Sequence, residues 1–336
     1  MFEKDSSKGN EELFFPMIRG RVKMKSYVKQ YINTIENQKK LRKDQRMKKL
    51  FLMMALLASS AIAVIIVFIS IKGIAPFLPN YTYGSVDFLP FITGMTWRQD
   101  QGIYGVGFII VNTLISAFGA MLLSFPISVL TALYIAKIAP KRIAVLLSSV
   151  IELLASIPSV VYGVFASGTI TLLVSSLAAN FGFVTAGGSS LLAVILLLAI
   201  MIFPTITALS ITAIRSVDKE IELGSLALGA TATQTHFKVV LTAAKSGIFA
   251  GAILGIGRAF GEATAVAMVA GNKMFGPTFH LFDTTRTLTT TMLAGLKETT
   301  GLDYDIRFSA GLVLMAVILL SNLILNLVKK KVGKLK

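Results

Sequence analysis

Six apolar runs, each long enough to cross a bilayer, dominate this chain of 336 residues. They fall at 50–71, 107–136, 143–174, 190–214, 247–271 and 309–328, and Pro158 interrupts the third. A helix needs about 20 residues to span the hydrocarbon core. Within lipid every backbone N–H and C=O has to find its partner inside the protein, which leaves helices as the economical solution for runs of this length. The expected fold is therefore all-α, a polytopic membrane bundle of six transmembrane helices. The composition agrees, with 54% hydrophobic and 15% charged residues, against about 25% charged in soluble domains.

The basic residues orient the bundle. Fourteen Lys and Arg precede the first run, and five more lie in the basic C-terminus, 329–336. Lys137, Lys141 and Arg142 separate the second and third runs, and Arg215, Lys219, Lys238 and Lys245 separate the fourth and fifth. With both ends on one side, that side holds 26 basic residues and the other holds six: Lys72, Arg98, Lys273, Arg286, Lys297 and Arg307. The positive-inside rule makes the richer side cytoplasmic, so the topology is N-in/C-in. The chain divides into a basic cytoplasmic tail (1–49), a transmembrane domain (50–328) carrying a cytoplasmic loop at 215–247, and the basic C-terminus. The tail does not read as a signal peptide, because it is too long for an n-region and the run after it too long for an h-region. It reads as a solvated segment or, around 23–49, as a basic helix against anionic lipid.

The net charge of +16 does not point to nucleic acid, since it sits at ends flanking apolar spans and no reading motif accompanies it. The chain has no cysteine, and its two histidines, His236 and His280, lie far apart in sequence. No metal centre and no cofactor is expected. No phosphate-binding loop of the Gly-x-x-x-x-Gly-Lys-Ser/Thr type occurs, and no nucleophile–base arrangement is visible. The chain is thus not expected to be an enzyme, and uphill transport would draw its energy from a partner or an ion gradient.

Two connections on the outer side are long. Residues 72–106 contain Pro76, Pro79, Pro90 and the single tryptophan, Trp97. Residues 273–308 include TLTTTMLAGLKE, whose Leu288, Met292, Leu293 and Leu296 form a helical stripe at the membrane surface or dipping into the protein. Pro126, Pro158 and Pro204 lie within the second, third and fourth runs and are expected to kink them.

The cytoplasmic loop reads RSVDKEIELGSLALGATATQTHFKVVLTAAKSG. Its small residues suggest a helix, a turn centred on Gly229 and a second helix. The fifth run carries GIGRAFGEATAV, with Arg258 and Glu262 four residues apart. In a continuous helix the two share a face. Each charge at the bilayer centre costs roughly 2.5–3.5 kcal/mol, so the pair either fixes packing, helped by Gly251, Gly255, Gly257 and Gly261, or lines a wet pathway. Glu152 is a third charge within an apolar run.

LALGAT followed by KVVLTAA resembles the cytoplasmic loop through which ABC importer permeases dock on their ATPase. The family pattern is Glu-Ala-Ala, three residues, Gly, nine residues, then Ile-x-Leu-Pro. Aligned on Gly229, this chain has Leu223-Gly224-Ser225 in place of Glu-Ala-Ala, with Glu220 and Glu222 just upstream, and Thr242 in place of the proline. IELLASIPSVVYGVFA, LAIMIFPTITALSITAIRSV, GIGRAFGEATAVAMVAGN and LFDTTRTLTTTM together resemble the PstC-type permease of phosphate ABC importers, from about the second run to the C-terminus. The resemblance implies a type I importer permease fold in a bacterial-type plasma membrane. It implies a second homologous permease, a cytosolic ABC ATPase dimer and an extracytoplasmic phosphate-binding protein as partners. Arg258, Glu262 and Glu152 would then line the phosphate pathway, and Glu222, Gly224, Ser225, Gly229, Ala230 and Thr231 would form the ATPase coupling loop. The alternatives are a permease for sulfate or molybdate, an ion-coupled secondary transporter using Arg258 and Glu262 as a proton relay, and a membrane scaffold that does not transport.

Overall fold

The computed structural model describes residues 11–334, with side chains described for 40, 41 and 43–331. The chain forms two units, 1–67 and 68–336. The first is almost entirely one helix, α1 (Glu11–Ile74), whose last residues belong to the second unit. The side chains of the expected basic lipid-facing segment lie outside the described residues up to position 39.

In the second unit, α2 (Phe88–Thr93) and a two-stranded hairpin, β1 (Trp97–Arg98) with β2 (Ile103–Tyr104), occupy the first outer connection. The hairpin pairs Trp97 with Tyr104 and buries both rings. Next come α3 (Gly107–Leu133), α4 (Lys141–Ser156), α5 (Ser159–Phe165), α6 (Thr171–Asn180) and α7 (Leu191–Arg215). The cytoplasmic loop forms α8 (Lys219–Ala227) and α9 (Ala232–Gln234), and α10 (Leu241–Gly261) follows. Two short helices, α11 (Thr264–Ala267) and α12 (Leu288–Leu293), precede the last helix, α13 (Leu302–Lys334).

Among the described residues six segments are long and apolar enough to cross a membrane: Lys43–Phe77, Gly107–Ile138, Ser159–Asn180, Leu191–Arg215, Ala232–Gly261 and Leu302–Lys331. This matches the expected number. The third begins at Ser159, however, and not at 143. Proline at 158 disfavours the helical region for the residue before it, and Ile157 is indeed extended, with ψ 128°. Helix α4 therefore ends at Ser156 and stays separate. The Tyr162 hydroxyl donates to the Leu154 carbonyl across the corner at 2.8 Å.

Helix α7 is the hub, packed against both α3 and α10. Its start is capped by Ser190, whose hydroxyl accepts from the Ala193 N–H. The α7–α10 contact rests on Gly247, Gly251 and Gly255, each about one helical turn from the next. A Cβ on Gly247 would meet Ala213 Cβ at 2.5 Å, and one on Gly255 would meet Ile206 Cγ1 at 2.7 Å. Small residues at this spacing let two membrane helices approach closely where no hydrophobic effect drives them together. Gly257 and Gly261 face open space instead.

Helix α12 is shorter than the apolar stripe implied, and its first four residues are buried while Leu293 is exposed. Leu288 and Thr289–Thr291 are all enclosed. Thr113 and Asn112 of α3 hold the segment around it, accepting from the N–H groups of Leu288 and Thr278.

Candidate functional site

Arg258 lies on α10, half-buried, where α7, α10 and α13 border a groove of about 770 Å³. One guanidinium nitrogen, Nη1, donates to Thr205 Oγ1 at 3.0 Å. Thr205 follows Pro204, which leaves the carbonyl of Ile200 without its helical donor. Asn322 of α13 lines the same groove, and its Oδ1 is buried with no partner. The groove thus gathers a cation, a hydroxyl and an amide on walls otherwise built from Leu209, Leu254 and Ile253. Such an arrangement can take a small anion out of water.

Glu262 does not share the helical face of Arg258. Helix α10 ends at Gly261, and Glu262 is extended at φ −77°, ψ 118°. Its carboxylate accepts the Ala265 N–H at 3.0 Å, serving the start of α11. Its carbonyl accepts the Thr289 hydroxyl of α12 at 2.8 Å. Among the described residues no ion pair joins Arg258 to Glu262. A side-chain acceptor that serves nearby backbone N–H groups competes with the continuing helix, and the tie to α12 fixes the break. A cavity of about 300 Å³ opens beside it, lined by Gly261, Ala263, Thr289, Met292, Arg307 and Phe308.

Glu152 is not a charge within a span. It is exposed on α4, ahead of the span that begins at Ser159, and it does not line the groove at Arg258.

The loop 215–247 has the expected helix, glycine turn and second helix. Gly229 takes φ +87°, a left-handed conformation that costs glycine nothing. Thr231 and Gln234 form a reciprocal capping box at α9. Ser225 Oγ and Thr235 Oγ1 lie 2.9 Å apart, tying α8 to the π-helical turn Thr235–Val240 that leads into α10. Gly224, Gly229 and Thr231 are exposed, Ala230 is half-buried, and Leu228 at the tip is 91% exposed. Glu222 is engaged within the chain, paired with Lys137 at the end of the second span and with His236 Nε2 at 3.3 Å. The Lys137 hydrogen bond, and then the charges of Lys137 and His236, hold its carboxyl below the usual range, outweighing partial burial.

Sequence reasoning missed Thr205 and Asn322 as neighbours of Arg258. Asn322 left a trace, an amide amid SNLILNLV in the sixth apolar run, whereas one hydroxyl in the Thr-rich fourth run left none.

Known proteins agree with this architecture. The chain is 37% identical over 277 residues to a probable ABC transporter permease, YqgH of Bacillus subtilis, covering 81% of this chain and 86% of that protein. It is 31% identical over 284 residues to the phosphate transport system permease PstC of Pasteurella multocida, covering 78% and 88% respectively. A probable phosphate transport system permease PstC of Methanocaldococcus jannaschii is 29% identical over 312 residues, covering 87% and 96%. The fold matches a subunit of a bacterial alginate ABC transporter, solved in complex with its alginate-bound periplasmic protein, with a TM-score of 0.58 at 18% identity over 86% of this chain and 98% of that one. Residues 124–334, which hold the groove, the break at Glu262 and the cytoplasmic loop, match the family described as the binding-protein-dependent transport system inner membrane component. The chain belongs to that family and is the membrane-spanning permease of an importer, not its ATPase.

Proposed function

We propose that this permease carries inorganic phosphate as one subunit of an ATP-driven importer. The observation that carries the reading is the Arg258 guanidinium, set beside Thr205 and Asn322 in a membrane-level groove. Phosphate at neutral pH is a mono- or dianion and needs a cation on an otherwise apolar path. An arginine fork meets two phosphate oxygens at once. The similarity to phosphate permeases at 31% and 29% identity supports the same substrate.

In this reading a second, homologous permease closes the groove into a pathway. Glu262 sets the break at the end of α10, so that α11 and α12 can move relative to Arg258 during alternating access. An extracytoplasmic phosphate-binding protein delivers substrate to the outer connections, and two copies of a cytosolic ABC ATPase engage the loop 215–247. Gly224, Ser225, Gly229, Ala230 and Thr231 form the surface that the ATPase approaches, with Leu228 as its apolar tip. Glu222 transmits that contact by tying the loop to Lys137 of the second span.

The test is radiolabelled phosphate uptake into vesicles carrying the chain with its partners, with and without internal ATP, at excess sulfate. ATP-dependent uptake that sulfate leaves untouched supports phosphate import. ATP-dependent uptake abolished by sulfate assigns the same architecture to another oxyanion. Uptake that ignores ATP replaces the reading with an ion-coupled transporter.

A further inference from the structure

Arg286 is 5% exposed, and no carboxylate pairs with it among the described residues. Its Nε donates to Thr291 Oγ1 at 3.0 Å, its one side-chain hydrogen bond among the described residues. Among the described residues nothing accepts from the two Nη groups, which carry four of its five N–H donors. The guanidinium carbon lies over the Trp97 ring, 5.6 Å from its centroid. Trp97 is 1% exposed, and its indole N–H is buried without an acceptor. Thr285, adjacent in sequence and fully buried, also leaves its hydroxyl unpartnered.

A second buried arginine stands close by. Arg307, 2% exposed, donates through Nη1 to the carbonyls of Thr291 and Ala294 and through Nε to that of Asp303. Thr291 thus serves both arginines, its hydroxyl accepting from Arg286 and its carbonyl from Arg307. Burial, and then the charge of Arg307, push the Arg286 guanidinium down to about 10. It remains charged at neutral pH.

A buried charge without an opposite charge is unfavourable, and the unpartnered Trp97 N–H and Thr285 hydroxyl add to that. Two like charges side by side make it worse. Asp303 and Glu298 offset the charge of Arg307, so the uncompensated positive charge is that of Arg286, which an anion rather than a cation would relieve. Water could fill the hydrogen bonds but not offset the charge. Both arginines lie on the side opposite the basic ends, the side from which an importer takes its substrate. The neighbouring Thr289 of α12 bonds the Glu262 carbonyl, so a ligand that orders this segment also bears on the break at the end of α10.

We infer that Arg286, with the Trp97 indole N–H and the Thr285 hydroxyl, forms an oxyanion site on the outer side of this chain, separate from the groove at Arg258. Its ligand is a small, multiply charged oxyanion, and inorganic phosphate is the one expected. The inference rests on the import reading only for that identity, since the unpaired donors call for an anion whatever the transported substrate.

Trp97 is the only tryptophan, so the proposed ligand would sit beside the chain's single indole fluorophore. The experiment is a titration of the full chain, reconstituted in lipid nanodiscs at constant ionic strength, with inorganic phosphate and separately with sulfate. Trp97 emission is read. A saturable change is expected in the wild type and in Arg258→Ala, but not in Arg286→Gln. Arg286→Lys keeps the charge without the fork and is expected to weaken the response by about tenfold. Thermal melting of each variant confirms that it is folded, and Arg286→Lys carries the test if Arg286→Gln is not. A response to sulfate alone would support the site and overturn phosphate as its ligand, while the uptake assay decides the transported substrate. Emission unmoved by either anion, a response surviving in folded Arg286→Gln or undiminished in Arg286→Lys, or one lost with Arg258 would each overturn the site.

Discussion

His236 Nε2 stands 3.3 Å from Glu222 Oε1, binding the two halves of the cytoplasmic loop across the Gly229 turn. Lys137 closes on the other carboxylate oxygen and extends the link to the second span. The Glu222 carboxyl is held below its usual 4.5, chiefly by the Lys137 hydrogen bond. A carboxylate with a depressed value in the folded state stabilises that state above the unfolded value and loses the contribution as pH falls through the folded one. The link is therefore complete at neutral pH and fails only below about 4.5. Glu222→Gln is expected to loosen the loop by about 0.5–1 kcal/mol, the modest figure for a partly solvated pair. Hydrogen exchange over 219–240 at pH 7 is the measurement. It should quicken by several-fold in the variant, and the two proteins should converge only as the pH falls through the lowered Glu222 value, below 4.5.

Arg258→Ala is expected to abolish ATP-driven phosphate uptake, by about 100-fold or more, while the chain accumulates normally in the membrane. Losing a charge-assisted contact to phosphate costs about 2–3 kcal/mol, and packing suffers little because the side chain borders an open groove. Thr205→Val removes the hydroxyl that holds the guanidinium and should reduce uptake less, by about tenfold. Disappearance of Arg258→Ala from the membrane would instead mean that the arginine serves packing.

Glu262 separates its two possible contributions through a pair of substitutions. Glutamine retains a carbonyl oxygen able to accept the Ala265 N–H, whereas alanine does not. Glu262→Ala is expected to destabilise the start of α11 by about 1 kcal/mol and to impair uptake. Glu262→Gln should keep both abundance and uptake, because the carboxylate is not paired with Arg258. If Glu262→Gln reaches the membrane normally yet does not transport, the negative charge itself acts in the pathway.

The spans were legible because lipid imposes a length and a polarity that composition records directly. The cytoplasmic turn was legible too, since Gly229 takes a backbone conformation that few other residues adopt without strain. What escaped was set between elements distant in sequence. The apolar residues of α4 run straight into the third span, and Pro158 reads equally as a kink or as an end. It is an end here because Ile157 is extended and Tyr162 bonds back to Leu154. Nothing within GIGRAFGEATAV announces that the helix stops at Gly261, since the Thr289 hydroxyl that helps fix the break comes from 27 residues further on. Helical spacing alone therefore set Arg258 and Glu262 on one face, and the partner Arg258 has, Thr205, sits on another helix. Arg286 was visible only as one of six basic residues on the outer side, and its burial beside Trp97 depends on how the two outer connections fold together.

Gly188 offers a test of the joint between the third and fourth spans. It takes φ +82°, and a Cβ built there would lie 1.9 Å from the Thr171 carbonyl oxygen. Its N–H donates to the Thr185 hydroxyl, and its carbonyl accepts from Ser190, the residue that caps α7. Alanine would bear the left-handed backbone cost of about 1–2 kcal/mol together with a clash against backbone, which cannot rotate away as a side chain can. Retreat would pull Ser190 from its cap and slacken the start of the helix that packs against both α3 and α10. Gly188→Ala should therefore lower the amount of folded chain in the membrane severalfold. Gly182→Ala, also at positive φ but with open space around it, should bear only the backbone cost. Comparing their melting temperatures in detergent isolates the clash, and equal melting would show that the approach of Gly188 to Thr171 relaxes without consequence.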